Sequence, residues 1–248
     1  MTTEQPPWCV GVRTLRLDTP DPGAAEAFYE TLTYPAERAA VRVQVSPHRH
    51  PGTARWIVGF GVTDLAGAAG VCADLGAKVV AGPDGSYLVA DPQGITFELV
   101  GAEPAPGEPA GRGDVVLADV YTRDVETATA FYSAALRLRV DLLPDEPVDY
   151  TMLSAGGQHL AGVLDMTSFL DPATEDHWMP YFHFPDIDAG IERATALGAW
   201  VVVPRTASPT GDYALLQDSW GCLFGIWDAQ TRHRSPGSHG AAAHPSAR

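Results

Sequence analysis

Hydrophobic and polar positions alternate in two kinds of period along the chain. Short β-prone runs at Val10–Leu17 and Val115–Tyr121 are each followed by a segment with helical spacing, about Pro22–Leu32 and Val125–Leu136. Asp21 and Asp124 stand where an N-cap side chain accepts from the free N–H groups of a first turn. A second strand and helix follow in each half, at Trp56–Val62 with Leu65–Leu75 and at Pro180–Phe184 with Ala189–Leu197. Gly76 and Gly198 fit the ends of those helices. Three further strands close each half: Lys78–Val80, Ser86–Ala90 and Ile95–Val100, then Trp200–Val203, Tyr213–Gln217 and Leu223–Trp227.

This order occurs twice because the chain contains itself twice. Asp21…Phe28-Tyr29 matches Asp124…Phe131-Tyr132, Leu75-Gly-Ala matches Leu197-Gly-Ala, and Asp91-Pro-Gln-Gly94 matches Asp218-Ser-Trp-Gly221. The offsets are 103, 122 and 127 residues, so order is kept while the second copy is longer. Kept order at this spacing is the mark of a tandem duplication. The expected domains are 8–100, shortened and degenerate, and 114–228, joined by a Pro- and Gly-rich linker at 101–113. Residues 229–248 lack apolar periodicity and are expected to form a disordered tail, with His233, His239 and His244 too irregularly spaced for a metal site.

Composition narrows the function. The 248-residue chain is 45% hydrophobic with a formal net charge of −15, which fits a globular domain and disfavours nucleic acid and anionic membrane as partners. No stretch approaches the ~20 apolar residues of a membrane span, and Met1–Pro7 lacks the pattern of a signal peptide. Cys9, Cys72 and Cys222 are widely spaced, which predicts buried, reduced thiols in a cytoplasmic protein.

The repeated motifs, with Val62-Thr-Asp64, Pro185-Asp-Ile-Asp188 and the Asp91–Leu99 run, resemble the vicinal oxygen chelate superfamily of glyoxalases, bleomycin-resistance proteins and extradiol dioxygenases. The run His177–Asp188 is similar to its two-domain glyoxalase-like "hydroxylase" members. The resemblance implies an α+β fold: tandem domains, each of two paired βαβββ modules, forming a cupped, mostly antiparallel sheet. It also implies a monomeric pseudo-dimer or a homodimer. In the first copy Tyr34–Arg55, with His48 and His50 in a polar loop, leaves little room for a full strand set.

The resemblance implies metal ligands on the first, fifth and last strands of a domain. Counting from the helix starts places these positions at Thr14, Ile57 and Glu98, and at Leu117, Met179 and Gly225. Glu98 alone matches, so no metal cofactor is expected.

Strand alternation then selects the groups that face the second cup. Asp119 and His183, with His159, form the candidate acid–base set. Tyr121, Tyr150, Met152, Trp178, Met179, Tyr181 and Trp227 form the candidate aromatic and Met wall for a small organic ligand. Each residue also has a plain structural role open to it, as a satisfied polar group or as core. In the first cup Arg16 and Glu98 are expected to pair. Three functions follow. The first is a metal-independent acid–base enzyme (isomerase, cyclase or lyase type, or hydroxylation) acting on an aromatic or natural-product substrate. The second is a drug-binding resistance protein, and the third is a metal enzyme using His159, His183 and Asp119.

Overall fold

The computed structural model describes residues 8–33, 42–47, 54–82, 84–103, 113–143, 150–167, 170, 172–208, 210–228 and 231. The first half runs β1 (Cys9–Thr19), α1 (Pro22–Thr33), β2 (Arg42–Pro47), β3 (Arg55–Val62), α2 (Leu65–Asp74), β4 (Lys78–Ala81), β5 (Tyr87–Ala90) and β6 (Thr96–Gly101). The second runs β7 (Val115–Thr122), α3 (Val125–Leu136), β8 (Arg139–Leu143), β9 (Tyr150–Ala155), β10 (Gln158–Asp165), β11 (His177–His183), α4 (Ile187–Ala196), β12 (Trp200–Thr206), β13 (Asp212–Gln217) and β14 (Leu223–Asp228). Most of the linker, residues 104–112, and the tail apart from Thr231 lie outside the described residues, as do His48 and His50.

The second half is two complete βαβββ modules. Its sheet has the order β12-β13-β14-β11-β7-β10-β9-β8. The two opening strands, β7 and β11, pair antiparallel at the centre, and each closing strand, β10 or β14, lies parallel to its own opener. The first sheet repeats this plan in the order β2-β1-β3-β6-β5-β4. Among the described residues its first module has only β2 after the helix, parallel to β1.

Local chemistry sets the helix ends. Asp64, Asp124 and Asp186 accept the N–H groups of Gly67, Thr127 and Ala189 at 2.9, 3.0 and 3.0 Å, and Asp21 accepts from Ala24 at 3.2 Å. Each cap satisfies a donor that has no partner inside its helix. Gly76 and Gly198, at φ +89° and +100°, turn the chain out of α2 and α4 in the left-handed region.

The helix-bearing faces of both sheets share one core. The repeated motifs build it reciprocally. Tyr29 on α1 donates to Asp218 Oδ2 at 2.7 Å, and Tyr132 on α3 donates to Asp91 Oδ2 at 2.7 Å. Each aspartate also holds its own turn, accepting two backbone N–H groups through Oδ1. Trp56 Nε1 donates to the Leu223 carbonyl at 3.0 Å, and Trp8 Nε1 to that of Ala135 at 3.2 Å. The Phe-Tyr pairs of the duplicated motif are thus the joint between the halves. Among the described residues no helix is long and apolar enough to cross a membrane.

Cys9, Cys72 and Cys222 are free and buried. Burial pushes the Cys9 and Cys72 thiols up from 9.0 to about 11, and raises Tyr29 and Tyr132 well above the ordinary phenol value. Above pH 9 the unfolded chain releases thiol protons that the folded chain keeps. The folded state then binds more protons, and stability falls as pH rises. Thermal unfolding midpoints should hold up to about pH 9 and drop through pH 11. A midpoint that rises over that interval contradicts this reading of the core.

Candidate functional site

The concave face of the second sheet carries a separate apolar cluster that includes Leu117, Tyr121, Leu164, Met179, Tyr181 and Leu215. On β7 the side chains of Leu117, Asp119 and Tyr121 face this cup, while Ala118 and Val120 enter the shared core. Val116 departs from the simple alternation. A register shift pairs Phe182 with Val115, so Val115 takes the core place and Val116 packs toward the cup.

A cavity of about 190 Å³ opens in this cup. Four tyrosines and a tryptophan line it (Tyr121, Tyr150, Tyr181, Tyr213 and Trp227). Leu117, Leu164, Val203 and Leu215 supply the apolar surface, and Asp119, His159, Ser208 and Thr210 the polar groups.

Asp119 is 2% exposed and sits on β7 between Gly162 of β10 and Met179 of β11. The Tyr150 hydroxyl donates to Asp119 Oδ1 at 2.9 Å and lies 2.7 Å from His159 Nε2. These three residues, from three adjacent strands, make one hydrogen-bonded chain. Gly162 leaves the space for it. A Cβ there would stand 2.2 Å from the Tyr150 hydroxyl oxygen and 2.4 Å from Asp119 Oδ1.

The Tyr121 and Tyr181 hydroxyls are 2.9 Å apart, one donating to the other. Burial raises both phenols well above their ordinary value, and the negative charge of Asp119 adds to the rise. Both therefore stay protonated at neutral pH. His177 stacks on Tyr121 with ring centres 5.5 Å apart, and its Nδ1–H donates to the Glu175 carbonyl at 2.8 Å. Burial holds its pKa below the usual imidazole value, which favours a neutral ring against Tyr121.

Four of the expected site residues do not line the cavity. Trp178 is not in the cup. Its even position on β11 turns it into the shared core, 1% exposed, edge-on to Phe60 and Tyr132. Met179 is fully buried in the cup cluster and Met152 pairs with Gly162, but neither lines the cavity. His183 lies at the end of β11 outside the lining, its Nδ1–H directed at the Trp227 carbonyl at 3.2 Å. It is therefore not beside Asp119, where the acid–base set expected it; Tyr150 and His159 stand there instead. The hairpin of β12 and β13 supplies Val203, Tyr213 and Leu215, and its loop supplies Ser208 and Thr210. All five escaped the sequence reading, which assigned no face to these strands.

The rung expected for metal ligands does not fit an ion. Register places Leu117, Tyr181 and Gly225 side by side in the second sheet, and Thr14, Gly59 and Glu98 in the first. Counting from the helix starts had selected Met179 and Ile57, each two residues off in register but on the same face. Gly225 lets the Tyr181 ring lie across it, since a Cβ would stand 2.1 Å from that ring. Glu98 accepts from Thr14 at 3.2 Å and from Ser86 at 2.9 Å. The expected Arg16–Glu98 pair is not the contact made; Arg16 lies 3.7 Å from Asp18. Among the described residues no three His, Cys, Asp or Glu side chains converge as an ion site requires.

Comparison with known proteins agrees with this architecture. Residues 114–227 match the family model described as a glyoxalase-like domain. A search of curated protein sequences finds no match. Among solved structures, the Mn(II)-bound glyoxalase from Novosphingobium aromaticivorans superposes with a TM-score of 0.66 at 15% identity, covering 97% of this chain and 96% of that one. The 2,2′,3-trihydroxybiphenyl 1,2-dioxygenase from Sphingomonas wittichii gives 0.62 at 15% identity, covering 92% and 95%. A variant of 4-hydroxymandelate synthase from Streptomyces coelicolor gives 0.64 at 12% identity, covering 93% and 95%. At these identities the likeness is one of fold.

Proposed function

We propose, from the premise that residues 114–227 are a glyoxalase-like domain in a chain with the vicinal oxygen chelate fold, that this protein is a metal-independent enzyme. It acts by acid–base chemistry on a small aromatic substrate held in the second cup. The observation that carries the reading is the chain Asp119–Tyr150–His159 along the wall of a largely apolar cavity.

The hydrogen-bond inventory assigns the roles. A tyrosine hydroxyl has one proton, and here it goes to the Asp119 carboxylate. His159 Nε2 must then donate to the hydroxyl oxygen, so a neutral ring carries its lone pair on Nδ1. His159, on the cavity lining, is the general base that takes a proton from the substrate. The imidazolium so formed is stabilised through Tyr150 by the charge of Asp119. The reverse transfer returns the proton elsewhere on the substrate, which is isomerisation, cyclisation or elimination according to the substrate. A positioned base of this kind contributes roughly 10²–10⁴-fold in rate. Tyr121 and Tyr181, protonated and paired, orient oxygen substituents of the ring.

The free, buried thiols support a reduced, cytoplasmic setting. The proposal takes the protein to act there as a monomer or homodimer, on a small molecule and without nucleic-acid or membrane partners.

Incubation with a panel of phenols, quinones and aromatic polyketides, followed by mass analysis, tests the reading. At least one compound is expected to return converted. Tyr150→Phe, which removes the link between His159 and Asp119, should slow that conversion about 10²-fold while the compound still binds. Conversion unchanged in Tyr150→Phe contradicts the assignment. A second reading, a sequestering protein, draws on the aromatic lining and the self-paired Tyr121–Tyr181 hydroxyls. It predicts a compound that raises the unfolding midpoint and returns unaltered.

A further inference from the structure

The ionisable groups on the cavity lining are unbalanced. Apart from the tyrosines they are one carboxylate, Asp119, and one imidazole, His159; among the described residues no lysine or arginine lines the cavity. Around them stand five aromatic rings, those of Tyr121, Tyr150, Tyr181, Tyr213 and Trp227. Aromatic faces are negative and attract cations, and rings grouped with a carboxylate are the usual recognition element for organic ammonium groups. The charge of Asp119 reaches into the ring cluster, since it helps keep Tyr121 and Tyr181 protonated. The chain as a whole carries a formal net charge of −15, which raises the local concentration of cations and repels anions.

Size sets a second limit. A cavity of about 150 Å³ is known to hold a benzene molecule. A volume of about 190 Å³ therefore takes one aromatic ring with a short substituent. Larger bodies must project through the open side.

We propose that the second cup selects a small aromatic amine, its ring among Tyr121, Tyr181 and Trp227 and its ammonium group on the Asp119 side of the ring cluster. This names the substrate class of the site described above and rests on that reading of where the site is. A carboxylate in place of the ammonium would meet Asp119 and the faces of the rings, with no arginine or lysine among the described lining residues to receive it, and is rejected.

Three phenols of similar size test the assignment: tyramine, 4-ethylphenol and 4-hydroxyphenylacetate, titrated calorimetrically at neutral pH. Tyramine is expected to bind at least tenfold more tightly than 4-ethylphenol, and 4-hydroxyphenylacetate more weakly than both. Asp119→Asn should bring tyramine and 4-ethylphenol to within about threefold of each other. That variant leaves the net charge of the surface nearly intact, so the change isolates the local carboxylate. Binding of 4-hydroxyphenylacetate as tight as that of tyramine overturns the proposal, as does failure of tyramine to bind wild-type protein. The two readings fail separately. Conversion of neutral or anionic substrates through Tyr150 would keep the catalytic reading and sink amine selectivity. Amine selectivity without conversion of any compound would do the opposite.

Discussion

Alanine at position 162 is expected to silence the site and leave the fold standing. Gly162 pairs with Asp119 across β10 and β7, and its added Cβ would fall 2.2 Å from the Tyr150 hydroxyl oxygen. Such a contact cannot persist, and the part able to move is the far end of the Tyr150 ring. The same Cβ would fall 2.4 Å from Asp119 Oδ1, so that carboxylate must turn aside as well. Tyr150 therefore swings away and gives up its bonds to both Asp119 and His159. Turnover should drop about 10²-fold or more, matching Tyr150→Phe, because the same proton connection is cut. The unfolding midpoint should fall by several degrees without loss of the fold, since one methyl forced against Tyr150 and Asp119 on a buried strand costs roughly 1–3 kcal/mol. Full activity in Gly162→Ala, measured beside its unfolding curve, would show that the three-residue chain is not the working part.

Trp178→Ala has the opposite expected signature. Trp178 is 1% exposed and packs edge-on against Phe60 at 5.2 Å and Tyr132 at 4.9 Å between ring centres. Removing a buried tryptophan costs roughly 3–5 kcal/mol in lost burial and residual cavity. Domains of this size are stable by only about 5–15 kcal/mol. Denaturant titration should show a variant near the edge of folding, while the folded fraction binds its ligand as wild type does. Trp227→Ala should reverse the pattern, with a small loss of stability and a large loss of binding, because Trp227 is part-exposed and lines the cavity. A stable Trp178→Ala protein that no longer binds would restore Trp178 to the cup wall.

The fate of these two tryptophans shows how much of the site was legible in sequence. Alternation along β7 and β11 places Asp119, Tyr121 and Tyr181 in the cup, and the same rule, followed through, turns Trp178 away from it. The helices and the duplicated Phe-Tyr and Asp…Gly motifs are legible because they repeat a local pattern. Val125–Leu136, for instance, is a helix with the expected bounds. Register is less legible because it depends on bulges that only paired strands reveal. The shifts between Cys9 and Thr14 on β1 and between Tyr181 and Phe182 on β11 lie where counting from the helix starts missed by two residues. That error left parity intact, so it exchanged Met179 for Tyr181 without changing face. His183 follows the register shift and sits beyond the cavity. Gly162 carries no sequence signal at all. Its role appears only when Asp119 and Tyr150, 31 residues apart, are seen to meet over its Cα.

The central claim is that the second cup performs proton transfer through Asp119, Tyr150 and His159 without a metal ion. The most direct measurement compares substrate conversion by wild-type and Tyr150→Phe protein, each before and after exhaustive chelation. The account predicts conversion that survives chelation in wild type and falls about 10²-fold in the variant under both conditions. Conversion that disappears on chelation and returns with a divalent ion, with Tyr150→Phe as active as wild type, would contradict it.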